Sequence, residues 1–272
     1  MHGLEEWSMP SNFAHYLFGQ QLLPTLPDYL QQIIQPNLKL YQIGQHGPDI
    51  IFYYRPFLPH SVSRVGFQMH KFPARYFFEQ ARDTVSLHQQ DPRLLAYTLG
   101  FLCHFILDSN CHGYIYPKIK DGKVSHVEME TEFDRMLMVQ QHIDPLNTNA
   151  TDHLPVDKEL SRIIAQIFVP LTPEQIYYGL RSMKFYHRLL VSPTPSKRYT
   201  IRRILRLTHT EQLLGGLIVN PVPNPLCRES NQKLMELYQF SLTEARQVMV
   251  EYYSSFFTGE PLSQRFDRTF QA

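Results

Sequence analysis

The chain has 272 residues, 43% of them hydrophobic, with 18 Phe and 16 Tyr, and its 26 Lys+Arg nearly balance 25 Asp+Glu. That length and apolar content suffice for one large domain with a substantial core. A net charge of +1 excludes a broadly polycationic nucleic-acid binder, and the abundance of aromatic side chains excludes a disordered chain.

The first residues, up to Trp7, show no basic patch followed by an apolar run, so no secretory signal is expected. Cys103, Cys111 and Cys227 form no CxxC pair, and a reducing cytoplasm is the expected setting. With 12 glycines and few alternating β-branched runs, the chain reads as all-α. A short amphipathic helix is predicted over residues 13–23, closed by Pro24. A long apolar helix follows Pro92 over residues 93–112 and is expected to end at Gly113 and Pro117. Its purest stretch, residues 94–107, is too short and, with His104, too polar to span a bilayer. After the Asp121-Gly122 turn, Ser125 and Glu128 fit a capping box that starts a helix at His126 and carries it to about Gln141. Thr172-Pro173-Glu174-Gln175 opens another over residues 176–190, and two more are expected over residues 198–207 and 231–257. No repeat interrupts this pattern, which predicts one helical domain over residues 9–258.

Polar residues break the apolar pattern at informative places. His104, Asp108 and His112 interrupt the long helix at steps of four. Each step advances about 6 Å and turns about 40° past a full turn, so the three form one stripe about 12 Å long. A buried carboxylate flanked by imidazoles needs a cation or hydrogen bonds to compensate it. The stripe is too long for one ion with bonds of about 2 Å, so the metal reading needs at least two ions with Asp108 between them. Mutual His–Asp hydrogen bonding is the alternative for this triplet. His126 and Glu130 repeat the four-residue spacing on the next helix, and zinc suits such mixed imidazole and carboxylate donors. Upstream, Gly47-Pro48-Asp49 reads as a turn, His70 as an isolated histidine, and His15 as a histidine among apolar residues.

Together these fragments resemble the bacterial zinc-dependent phospholipase C family, which shares its all-helical, trinuclear-zinc fold with fungal single-strand-specific nucleases. The matching pieces are His15, the Gly-x-Asp turn at Asp49, His70, His104-x-x-x-Asp108, His112 and His126-x-x-x-Glu130, and in the last stretch also Phe133 and Asp134. The resemblance covers residues 9–140, leaving helices of residues 155–258 to complete the bundle. It implies that Asp49, His70, His104 and Asp108 hold one zinc, that His112, His126 and Glu130 hold a second, and that His15 and Asp108 hold a third. His112 stands nearer to Asp108 than in secreted lipases of the family. A family member's third zinc also uses a processed amino terminus. Initiation at Met9 with exposure of Pro10 would provide one here.

The resemblance therefore implies two or three Zn²⁺ per chain and hydrolysis of a phosphate ester by a metal-bridging hydroxide, with Asp49 as the proton acceptor. The expected substrate is a phospholipid or a small phosphodiester, nucleic acid being the less favoured. Tyr16, Phe52, Tyr53, Tyr54 and Phe67 are candidates for a substrate wall, although burial in the core explains them as well. The basic amphipathic stretch 197–206 suits either a peripheral membrane contact or an ordinary solvated face. A single-strand nuclease on the same framework is the alternative, and a metal-stabilised binding protein without turnover is the third.

Overall fold

The computed structural model describes residues 12–56 and 60–271, so Trp7, Met9 and Pro10, on which the amino-terminal reading rests, lie outside the described residues. The helices in chain order are α1 (Asn12–Leu22), α2 (Asp28–Ile34), α3 (Leu38–Gly44), α4 (Ser61–Lys71), α5 (Arg75–Leu87) and α6 (Pro92–Ile119). They continue as α7 (His126–Gln140), α8 (Lys158–Ile167), α9 (Pro173–Leu190), α10 (Pro195–Leu207), α11 (Glu211–Leu214) and α12 (Arg228–Thr258). Among the described residues there is no strand, in agreement with the all-α expectation.

Helix α6 is the axis of the fold. Asp91 caps it by accepting the Arg93 N–H at 2.9 Å, and Pro92 takes the first helical position, where its missing N–H costs nothing. By length and hydropathy it could cross a membrane, but 94% of its most apolar stretch is buried inside this fold. The helix does not stop at Gly113. It runs on to Ile119, because Gly113 and Pro117 both lie on its exposed side. There the carbonyl that the proline leaves without a helical partner faces water.

The closest approach is that of α3 to α6. A Cβ on Gly44 would come within 2.2 Å of the Tyr97 carbonyl oxygen, and one on Gly100 within 2.1 Å of the Tyr41 carbonyl oxygen. Only glycine at both positions lets the two backbones touch, and this brings the segment after α3 against the middle of α6. Helix α12 also packs against α6. One apolar cluster runs from Phe13 through Phe101 and Phe105 to Tyr252, Phe266 and Phe270.

Local side-chain caps open α4 and each helix from α6 to α10. Thr172 and Gln175 form the reciprocal capping box expected for α9. At α7 only half of the expected box forms. Ser125 Oγ accepts the Glu128 N–H at 3.2 Å, but the Glu128 carboxylate accepts from Asn224 Nδ2 at 2.9 Å. Helix α1 is capped by a distant residue, the Asp134 carboxylate on α7, which accepts the N–H groups of Phe13 (3.0 Å) and Ala14 (2.7 Å). This contact fixes the first turn of α1, and with it His15, against α7.

Candidate metal centre

Each side chain of the centre is placed by a different local device. His104, Asp108 and His112 share one face of α6 through the four-residue spacing. Gly47 has φ +48°, and a Cβ there would lie 2.3 Å from His104 Cδ2, so the left-handed glycine lets the chain turn directly over that ring. The turn leads into a 3-10 helix, Gly47–Tyr53, which carries Asp49. His70 sits in the last turn of α4, where its Nδ1–H donates to the Gly66 carbonyl at 2.8 Å and leaves Nε2 turned to Asp49. His126 opens α7, Glu130 lies one turn on, and His15 comes from α1.

All eight predicted residues converge into three groups of close donor atoms: His15, His104 and Asp108; Asp49, His70 and His104; and His112, His126 and Glu130. Asp108 Oδ1 lies 3.1 Å from His15 Nε2, and its Oδ2 lies 3.0 Å from His104 Nε2. Asp49 Oδ1 is 3.3 Å from His70 Nε2, and Oδ2 is 3.4 Å from His104 Nε2. Glu130 Oε1 is 3.0 Å from His126 Nε2 and 3.4 Å from His112 Nε2. The Asp108 carboxylate is thus split between a histidine of α1 and one of α6, both in the same donor group.

Burial and charge make this cluster costly without a cation. Asp49, Asp108 and Glu130 are all buried. Among the described residues, Asp49 Oδ2, Asp108 Oδ2, Glu130 Oε2 and both ring nitrogens of His104 find no hydrogen-bond partner. Burial opposes ionisation of Asp108, yet His104, His112 and His15 hold its carboxyl well below the usual range. Burial also opposes ionisation of Glu130, which His126 and His112 nevertheless bring down to about 2. Conversely, burial disfavours protonated His112, but Asp108, Glu130 and the Phe270 carbonyl raise it to about 9. Zinc bonds of about 2.0–2.2 Å at tetrahedral angles separate neighbouring donors by about 3.3–3.6 Å. The observed spacings lie at or just under that range, and the imidazole and carboxylate donors suit zinc.

Three histidines that the sequence pattern did not single out, His46, His153 and His187, also border the centre, in contact with two residues of the proposed aromatic wall. His46 precedes Gly47 and lies, with Nε2, 2.8 Å from His153 Nε2, while Tyr16 stacks on His153 at 3.9 Å. The Tyr53 hydroxyl is 2.6 Å from His187 Nε2. Burial keeps these histidines neutral: His46 falls well below the ordinary range, His153 to about 3 and His187 to about 4. Of the three histidines, only His46 carries a sequence signal, its nearness to Asp49. Of the proposed aromatic wall, Phe52 and Tyr53 are buried, whereas Tyr16, Tyr54 and Phe67 are half-buried.

The sequence profile of the family described as zinc-dependent phospholipase C matches residues 14–169. That span is more than half of the chain and contains all eight residues of the three groups. No curated protein and no solved structure matches the chain. With its helical architecture and this match, the chain belongs to the zinc-dependent phospholipase C family.

Proposed function

We propose that the chain is a zinc-dependent phosphoesterase of the phospholipase C type. The observation that carries this reading is the convergence of three buried carboxylates and five histidines, from α1, α4, α6, α7 and the 3-10 turn, into three donor groups. In this reading Asp49, His70 and His104, with Asp108, hold one zinc. His112, His126 and Glu130 hold a second, and His15 with Asp108 a third. Zinc in such a site polarises a phosphoryl oxygen and brings the pKa of water to near ~7.

The rest of the chemistry belongs to the chain. Two or three divalent cations exceed the charge of three carboxylates, so the pocket favours a phosphate. Asp49 accepts the proton of the attacking water at a carboxylate oxygen. The water oxygen joins phosphorus, the bond to the leaving alkoxide breaks, and the alkoxide takes the proton that Asp49 received, departing as the alcohol. A phospholipid or a smaller phosphodiester is the proposed substrate. A peripheral membrane contact fits α10, where Tyr199, Ile204 and Leu207 are exposed beside Lys197 and Arg203.

The test pairs metal analysis with turnover on choline or ethanolamine phospholipid vesicles, with single-stranded DNA as the competing substrate. Two or three zincs per chain and chelator-sensitive phospholipid hydrolysis, lost at least 100-fold in Asp49→Asn, are expected. A zinc-loaded chain inert on phospholipid and active on DNA would move the assignment to the nuclease. Inertness on both would leave a metal-stabilised binding protein.

A further inference from the structure

Residues 262–271 lie beyond the part that the family profile covers, yet they run back to the metal centre. Leu262, Phe266 and Phe270 are buried, and polar anchors hold the segment on three helices. Arg265 Nε and Nη2 donate to the two carboxylate oxygens of Glu244 on α12 at 2.8 and 3.0 Å, and Nη2 reaches Ser109 Oγ at 2.8 Å. Arg268 Nη1 donates to Asn110 Oδ1 at 3.0 Å, and the Arg268 carbonyl accepts the Ala74 N–H at 2.9 Å. On α5, Arg75 donates to the carbonyls of Leu262 and Ser263 at 2.8 and 3.0 Å. Ser109 and Asn110 directly follow Asp108 in α6, so the anchor and the candidate ligand share a turn of helix.

Phe270 ends this path. Its carbonyl accepts the Nδ1–H of His112 at 2.8 Å, and its ring lies 5.5 Å from that of His70 and 5.8 Å from that of His104. A carbonyl cannot donate, so this bond holds the proton of a neutral imidazole on Nδ1 and leaves Nε2 bare toward Glu130. His70 receives the same service from Gly66 in its own helix, whereas His112 depends on a residue 158 positions away. Gln271 also hydrogen-bonds Tyr116, whose ring flanks both His112 and His126.

We propose that residues 262–271 are a positioning element of the metal centre. The Phe270 carbonyl sets the tautomer and orientation of His112, so that metal affinity of the His112–His126–Glu130 group depends on docking of this segment. The inference rests on the metal reading above.

The test reads zinc binding rather than turnover. Competition with a chromophoric chelator compares the full chain with one stopped after Thr269. The His112–His126–Glu130 site is expected to weaken by about 10–100-fold, and the groups of His70 and His104, which lose only a ring contact, by distinctly less. In a His112→Ala background the same truncation is expected to cost nothing more, because both changes disable one ligand. Equal weakening of every site, or an additive loss in that background, overturns the proposal. If the shortened chain does not fold, the zinc-loaded full chain decides by nitrogen-15 NMR of its histidine rings. His112 protonated at Nδ1 supports the proposal, and a proton at Nε2 overturns it. A full chain that takes up no zinc refutes the metal reading itself, whereas a zinc-loaded chain indifferent to the truncation refutes only the positioning role.

Discussion

The rings of His15 and His104 stack with centroids 4.3 Å apart and planes inclined by 26°, and each directs Nε2 at a different oxygen of Asp108. One histidine comes from α1 and the other from α6, so a single carboxylate joins the first helix of the fold to its axis. Asn at position 108 would keep the shape but replace one oxygen by an amide that can only donate. Asp108→Asn is therefore expected to remove more than one equivalent of zinc per chain, whereas Glu130→Gln removes one. Metal quantification on both purified variants checks this, and Asp108→Asn protein with its full complement would contradict the shared role.

How much of this was legible beforehand follows from the kind of signal each residue leaves. His104, Asp108 and His112 stand out because polar groups every four residues violate an apolar helix. His126 and Glu130 repeat that spacing beside a clear helix start. Asp49 and His70 have no such pattern, since a 3-10 turn and the last turn of α4 leave no long periodicity. Only their order among the family motifs marks them. Phe270 offered less still. The row Leu262, Phe266, Phe270 repeats every four residues, but charged and polar neighbours hide it, and its partner His112 is remote in sequence. The extension of α6 past Gly113 and Pro117 leaves no local signal, because both residues weaken a helix; here both lie on the exposed side, and the buried face beyond them, with Ile115, keeps the helix going.

Zinc uptake should release protons. Burial disfavours charge on His112, but Asp108, Glu130 and the Phe270 carbonyl raise it to about 9, so the metal-free chain carries a proton there at neutral pH. His15 and His70 shift in the same direction, burial again being outweighed by Asp108 and Asp49 respectively. A ligating imidazole must give up its Nε2 proton, so affinity is expected to climb with pH up to about 9. Calorimetry at pH 7.5 in buffers of different ionisation enthalpy should show at least one proton released on loading. No buffer dependence would contradict these charge states.

The same groups predict the stability of the metal-free chain. His112 is raised from 6.5 to about 9 on folding, so its stabilisation is complete below pH 6.5 and is lost as pH rises through about 9. Glu130 is lowered from 4.5 to about 2, so its contribution is present above pH 4.5 and is lost as pH falls through about 2. Thermal melts in chelator should therefore give a lower Tm at pH 9 than at pH 7.5, a window above the range in which the buried neutral His46, His153 and His187 act in the opposite sense. Zinc should reverse the order, since it holds the deprotonated imidazoles at pH 9.

Removing the cap on α1 should loosen the His15 group selectively. The Asp134 carboxylate satisfies two N–H groups at the start of α1, and neither has a partner within the helix. Asp134→Ala is expected to cost about 0.5–2 kcal/mol in stability, typical for a lost cap. Because His15 lies in the same turn, zinc at the group it shares with Asp108 should weaken, whereas the His112–His126–Glu130 group should bind as before. Denaturant melts with zinc titration would separate the two effects.

Gly47→Ala distinguishes backbone strain from displacement of a ligand. Gly47 and Gly122 both have left-handed φ, +48° and +71°, so alanine at either is expected to cost about 1–2 kcal/mol. At Gly122 a Cβ would meet nothing within 4 Å. At Gly47 it would sit 2.3 Å from His104 Cδ2 and 2.5 Å from Cγ, too close for the ring to keep its place. His104 belongs to two of the three donor groups, so a shifted ring disturbs both. Both variants should lose stability without metal, Gly47→Ala the more because of the clash, but only Gly47→Ala should lose zinc, measured per chain after dialysis. Equal zinc content in the two variants would mean that His104 can move without disturbing the centre, and would count against its shared position.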